Sequence, residues 1–205
     1  MTGIIDYGMG NLHSVCNALA FLGEETIVSA DPALLSGCSR LILPGVGAFP
    51  DAMKALNETG LSVFLKEAAQ TKYLLGICLG MQLLFDRSHE FCLSDGLGLI
   101  PGEVIRLTAA ERSRTYKIPH MGWNNLCTVN ESPLLCGAEN RFVYFVHSYK
   151  AEMGDRRCLI ASANYGEEIP AIVSNRAGNV FGMQFHPEKS EQAGLTLLSN
   201  FLALR

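Results

Sequence analysis

"YLLGICLGMQLLF" (Tyr73–Phe85) sets a cysteine between a short apolar run and an amphipathic one. "YLLGI" has the length and apolar content of a buried strand, and "LGMQLLFDR" has helical spacing. Gly76 and Gly80 flank Cys78 in a Gly-Xaa-Cys-Xaa-Gly turn. A crowded strand-to-helix turn needs neighbours without side chains, and this pattern is the thiol counterpart of the serine-hydrolase nucleophile turn. Such a turn pushes the sulfur beyond the sheet edge and sets it at a helix N-terminus, where the dipole favours thiolate. It also leaves the Leu79 N–H free to meet a developing oxyanion. Taken alone, the pentapeptide is more often a buried structural cysteine, so a base has to be found elsewhere.

Upstream of the turn, apolar runs alternate with helical patterns. "GIIDY", "ETIVSA" and "RLILPG" read as strands, and "NLHSVCNALAFLG" as a helix ended by Gly23. "DPALLSG" is a short helix with Asp31 as cap and Pro32 in its first turn. "FPDAMKALNETGLSVFLKEAAQ" is helical with an interruption near Gly60. Continuous apolar strands alternating with helices predict a mostly parallel sheet covered on both faces. Downstream, "LGLIPGEVIRLT", "RFVYFVHSYKAE", "CLIASANYG" and "PAIVSNRAGNVFGMQFH" read as strands joined by tight turns, and "SEQAGLTLLSNFLAL" as a helix. No linker, repeat or low-complexity segment interrupts the chain. The expectation is one α/β domain over residues 1–205, with the strands of both halves in one sheet.

Among five histidines, His186 is the best candidate base. It ends the strand-like run "FGMQFHPEKS", with Glu188 two residues on. Residues i and i+2 of an extended segment share a side, and Pro187 favours an extended His186. A carboxylate there can orient the imidazole while the other ring nitrogen faces the thiol. His13, His89, His120 and His147 read as structural or surface residues. "DYGMGNLH" imitates a dinucleotide fingerprint, but His13 stands where its third glycine belongs.

The bulk numbers exclude more than they assign. The net charge of −4 gives no basic face, which disfavours a nucleic-acid partner. No apolar run is long enough to span a bilayer, and "MTGIIDYGMGN" lacks the basic region of a signal peptide. Seven cysteines without a C-x-x-C pair suggest reduced thiols in a cytoplasmic chain, and the two N-x-[ST] sequons are then chance matches. The histidines show no helical metal spacing, so no metal site is expected.

Taken together, "PGVGAF", "GICLGMQLLF", "PHMGWN", "FVHSYK" and "FGMQFHPEKS" resemble the class I (triad) glutamine amidotransferases, in the family's order and over essentially the whole chain. "PGVGAF" and "PHMGWN" are similar to the branch serving histidine biosynthesis, the glutaminase subunits of imidazole glycerol phosphate synthase. The resemblance implies a flavodoxin-like α/β fold, a central mixed but mostly parallel sheet flanked by helices. It implies glutamine hydrolysis without cofactor or metal: Cys78 as nucleophile, His186 as acid and base, Glu188 as its orienter. Leu79 and the Gly45-Val46-Gly47 strand end would meet the oxyanion, a segment the family associates with activation by its partner. Gln82, Glu90, Ser148, Tyr149 and the Gly47 backbone would hold the substrate.

The implied partner is a cyclase subunit with a (β/α)8-barrel fold, forming a heterodimer in which ammonia is passed between sites. Trp123, Tyr144 and Lys189 would lie at that interface, Trp123 as an aromatic anchor. The chain length fits a free-standing subunit. The competing readings are an amidotransferase subunit of another synthase such as anthranilate synthase, a silent homologue, and a partner-independent cysteine hydrolase. Lys150 stands where relatives often carry arginine, keeping the charge but not the fork geometry.

Overall fold

The apolar runs of the first half do pair in parallel, as strands buried on both faces require. The structure, a computed structural model, describes residues 1–108 and 116–204. Strand β1 (Thr2–Ile5) leads through α1 (Leu12–Phe21) to β2 (Thr26–Ser29), and through α2 (Pro32–Ser36) to β3 (Arg40–Gly45). Helices α3 (Phe49–Glu58) and α4 (Leu61–Ala68) precede β4 (Tyr73–Cys78), and α5 (Leu79–Gln82) follows it. Asp31 caps α2 by accepting the Ala33 N–H at 2.8 Å. The left-handed Gly60, φ +72°, separates α3 from α4.

The second half adds β5 (Phe85–Ser88), β6 (Ser94–Asp95), β7 (Ile100–Arg106), β8 (His120–Asn125) and β9 (Cys127–Thr128). It continues with β10 (Phe142–His147), β11 (Tyr149–Met153), β12 (Leu159–Asn164), β13 (Glu168–Ser174), β14 (Val180–Met183) and helix α6 (Glu191–Ala203). The main sheet has the order β2-β1-β3-β4-β14-β13-β12-β9. Its β2-to-β14 block is parallel, and β13, β12 and β9 extend it antiparallel. One apolar cluster packs α2, α3 and α4 on one side, and another packs α1 and α6 on the other. The architecture is the expected mixed α/β sheet flanked by helices.

Two expectations fail here. The strands do not all share one sheet: β11-β7-β5-β6 form a second sheet, and β10-β8 a two-stranded ribbon. "RFVYFVHSYKAE" reads as one strand, yet it divides at Ser148, because His147 pairs with His120 in the ribbon while Tyr149 pairs with Arg106 in the second sheet. Nor is "LGMQLLFDR" a helix beyond its first turn. Met81 to Phe85 are all buried, and at about 100° per residue five consecutive buried positions leave no solvent face for an amphipathic helix. The chain therefore turns into β5 inside the molecule.

All seven cysteines are free thiols. Among the described residues no helix is long and apolar enough to cross a membrane. The parallel block matters most for function. The loops after β1, β3, β4 and β14 all emerge at its carboxyl edge, where ligands of open α/β sheets bind.

Candidate active site

Cys78 ends β4 with φ 55° and ψ −111°, left-handed backbone that a non-glycine residue rarely adopts. Holding it there costs about 1–3 kcal/mol, so the surroundings must over-determine it. They do so by close approach. A Cβ on Gly76 would lie 2.5 Å from the Gly80 carbonyl oxygen, and one on Gly80 would lie 1.8 Å from the Leu43 carbonyl oxygen. The two glycines let the turn fold down onto β3 and β4. Gly80→Ala should therefore destabilise the fold by more than about 3 kcal/mol, read by chemical denaturation. A variant of unchanged stability would contradict this packing.

The dipole expected behind Cys78 is weak, because α5 has only four residues. A full-length helix presents about half a unit charge at its N-terminus, and one turn presents less. The nearer positive charge is His186. The His186 Nδ1 lies 2.8 Å from Glu188 Oε1, which leaves Nε2 for the sulfur. Contrary to the expectation, the pairing does not arise from an extended run: Pro187–Lys189 is a 3-10 turn, and only His186 (φ −98°, ψ 97°) is extended. That turn brings the carboxylate back under the ring. Burial pushes His186 down, but its interactions with the nearby Cys78 sulfur and with the Glu188 carboxylate outweigh it, raising the ring to about 10.

A raised value means that the ring keeps its proton at neutral pH and loses it only as pH rises through about 10. The expected NMR result is a cationic His186 throughout the neutral range. Cys78→Ala removes two of the raising interactions and should lower the titration point. A ring that titrates near its ordinary 6.5 in the intact chain would contradict the arrangement.

Cys78 and His186 face a cavity of about 390 Å³, within the usual size range for small-ligand sites. Val46, Gly47, Leu79, Gln82, Glu90, Ser148 and Tyr149 line it too. Glu188 does not; it stands behind His186, and its Oε2 is buried without a hydrogen-bond partner. Leu79 N–H is the first amide of α5 and has no acceptor within the helix. Val46 N–H is different: it donates to the Met9 carbonyl at 3.4 Å and does not point into the pocket. The next residue, Gly47, has φ +102°, and a Cβ there would lie 2.8 Å from Met9 Cε. The loop after β1 thus braces the end of β3, and Tyr7 adds a hydrogen bond from its hydroxyl to the Pro44 carbonyl at 3.0 Å.

Glu90 Oε2 accepts the Phe49 N–H at 2.8 Å, tying the pocket wall to the start of α3. Burial raises its pKa, and the Asp51 charge adds to this against the Phe49 hydrogen bond. Gln82 Nε2 donates to the Tyr149 carbonyl and to Gln184 Oε1, each at 3.0 Å. Its own carbonyl is what remains for a ligand. Sequence reasoning overlooked Gln184, which is fully buried with its amide nitrogen 4.0 Å from Cys78 Sγ. The available signal was a glutamine inside the apolar run "FGMQFH". Pro119, Val146 and His147 also line the cavity and were not anticipated.

Trp123 and Tyr144 lie apart from the pocket lining, cross-strand partners on the β8–β10 ribbon with ring centroids 6.0 Å apart. Trp123 is 47% exposed beside the exposed Met121 and Phe142, and Lys189 is exposed on the His186 turn. His13 contacts Asn17 on α1, and His89 follows β5 and pairs with Glu103 at 2.6 Å. Among the described residues no group of His, Cys, Asp and Glu is arranged to hold a metal.

A family model described as glutamine amidotransferase class-I matches residues 3–204. The chain is 53% identical over 207 aligned positions to the imidazole glycerol phosphate synthase subunit HisH of Geobacillus sp. (strain WCH70), covering 100% of this chain and 97% of that one. To the same-named subunit of Bacillus subtilis (strain 168) it is 49% identical, covering 98% and 95%. A crystal structure of a glutamine amidotransferase superposes with TM-score 0.74 at 21% identity, over 98% of this chain and 99% of that one. A match running almost from end to end, on the fold those structures share, shows that the chain belongs to the class I glutamine amidotransferase family.

Proposed function

We propose that the chain is the glutaminase subunit of imidazole glycerol phosphate synthase, acting as a single domain over residues 1–205 in the cytoplasm. The observation that carries this is the convergence of Cys78 and His186 on one pocket, with Glu188 on the far ring nitrogen. Relatives near 50% identity over their full length supply the branch of the family.

The chemistry follows from the protonation already described. The Cys78 thiolate attacks the side-chain carbonyl of L-glutamine, and the oxyanion is met by the Leu79 N–H. The imidazolium of His186 gives its proton to the departing ammonia, leaving a glutamyl thioester. The neutral ring then takes a proton from water, the hydroxide opens the thioester, and glutamate leaves with His186 charged again. The Glu90 carboxylate and the Gln82 carbonyl suit the substrate ammonium, and the backbone of Gly47, Ser148 and Tyr149 suits its carboxylate.

Val46 N–H cannot serve as a second oxyanion donor while it is bonded to Met9. Gly45 and Gly47 on either side allow that peptide to rotate. The free subunit is accordingly slow, and docking of the cyclase, a (β/α)8-barrel forming a heterodimer, releases the strand. Trp123, Tyr144 and Lys189 contribute to that interface, and the ammonia passes to the cyclase. The cyclase then makes imidazole glycerol phosphate and an aminoimidazole carboxamide ribotide.

Glutamate release by the purified chain, alone and with a cyclase subunit and its ribonucleotide ligand, tests the reading. Low activity alone and a large rise in the liganded mixture are expected. Full turnover without partner would leave a free hydrolase, and none in any mixture would leave a different synthase.

A further inference from the structure

Two histidines outside this chemistry are buried against the pocket, and their hydrogen bonds dictate their tautomers. His147 is 6% exposed and His120 2%. His147 Nδ1 lies 2.7 Å from the Tyr149 carbonyl oxygen, which only accepts, so Nδ1 carries the proton. Its Nε2 is then an acceptor, and His120 Nδ1, 3.0 Å away, donates to it. His120 Nε2 in turn faces the Asn124 amide nitrogen at 3.5 Å as an acceptor. A second proton on either ring would set N–H against N–H along this line. Burial pushes both rings down, His120 to about 4 and His147 to about 3. The positive charge of His186 opposes protonation of His147 further. His120 is stacked between Phe145 and Tyr165, at centroid distances of 4.6 and 3.9 Å.

The line ends on the Tyr149 carbonyl, which also accepts Gln82 Nε2. Gln82 continues to Gln184, whose amide nitrogen reaches towards Cys78. The anchored segment needs an anchor. Between His147 and Tyr149 the chain leaves the ribbon for the second sheet, and Ser148 lines the pocket at the crossing.

We infer that His120 and His147 are a neutral, direction-locked positioning pair that fixes the Tyr149 carbonyl, and with it the Ser148–Tyr149 and Gln82 wall of the glutamine pocket. The inference rests on the glutaminase reading. Neither ring is assigned a reacting atom. A neutral His147 also spares the His186 imidazolium a like charge beside it.

Long-range proton–nitrogen spectra of the wild-type chain with labelled histidine read the tautomers directly. Both rings should carry a single proton, on Nδ1, at neutral pH. A proton on Nε2 of either ring, or a charged ring, overturns the inference. In the liganded complex, His120→Phe keeps the stack but removes the donor to His147. It should raise KM for glutamine about tenfold with kcat within about threefold of wild type. His147→Gln can donate to Tyr149 and accept from His120, so it should recover most of the loss seen in His147→Leu. An unchanged KM in His120→Phe, or equal losses in all three variants alongside lowered thermal midpoints, overturns the positioning role. A wild-type complex that releases no glutamate would instead bring down the glutaminase reading itself.

Discussion

Replacing Cys78 with alanine should abolish glutamine hydrolysis, lowering kcat in the liganded complex by on the order of 10⁵-fold, as for other covalent nucleophiles. No other group can take over. The His186 imidazole faces the same pocket, but Glu188 holds one ring nitrogen and the proposed mechanism needs the other for proton transfer. Water lacks both the position and the nucleophilicity of a sulfur held beside a cation. Alanine changes little else: the side chain is small and buried, and a residue with a Cβ already occupies the φ of 55°. The variant should fold and still bind the cyclase. Residual turnover above about one part in a thousand would mean that another group performs the attack.

The second large effect belongs to Glu188→Gln, expected to lower kcat by on the order of 10³-fold or more. The Glu188 side chain is nearly inaccessible and its Oε1 takes the Nδ1 proton of His186 at 2.8 Å. An amide of the same size turns either a weaker acceptor or an N–H towards that nitrogen. The first choice withdraws a negative charge that supports the imidazolium; the second selects the tautomer with its proton on the wrong side. Either choice lowers the titration point of His186, so the loss should be accompanied by a ring that deprotonates at lower pH than in wild type. KM should move little, since Glu188 is not among the residues lining the pocket. A variant with wild-type kcat would show that His186 is oriented by something else.

The sequence carried the frame of this site in a few residues with distinct chemistry. The glycines around Cys78 announced a tight turn, and the His186-Pro187-Glu188 order announced a ring with a carboxylate nearby. Parallel strands were legible from continuous apolar runs such as "RLILPG" and "YLLGI". What could not be read were effects of tertiary partners. The apolar residues after Gln82 suit a helix locally, and only burial on every side explains why the chain turns into β5. The break at Ser148 is set by two different pairing partners, neither visible in "FVHSYK". Whether the Val46 N–H is free could not be read, because nothing in "PGVGAF" reveals the Met9 carbonyl beneath it. His120 and His147 looked like ordinary structural histidines until their separation of 3.0 Å joined them.

The exposed aromatic ribbon and the pocket lie on connected structure. His147 ends β10 and lines the cavity, while Trp123 and Tyr144 stand further along the same two strands. The backbone of Tyr144 also accepts the His186 N–H at 3.0 Å. A partner seated on the ribbon would therefore bear on the turn that carries the base.

The covalent intermediate offers the most direct test of the central claim. The liganded complex would be mixed with glutamine, quenched in acid within the turnover time, digested, and read by peptide mass. A glutamyl adduct on the peptide carrying Cys78, absent in Cys78→Ala, is the predicted result. Steady glutamate release with no adduct on Cys78, or with the adduct on another residue, would contradict it.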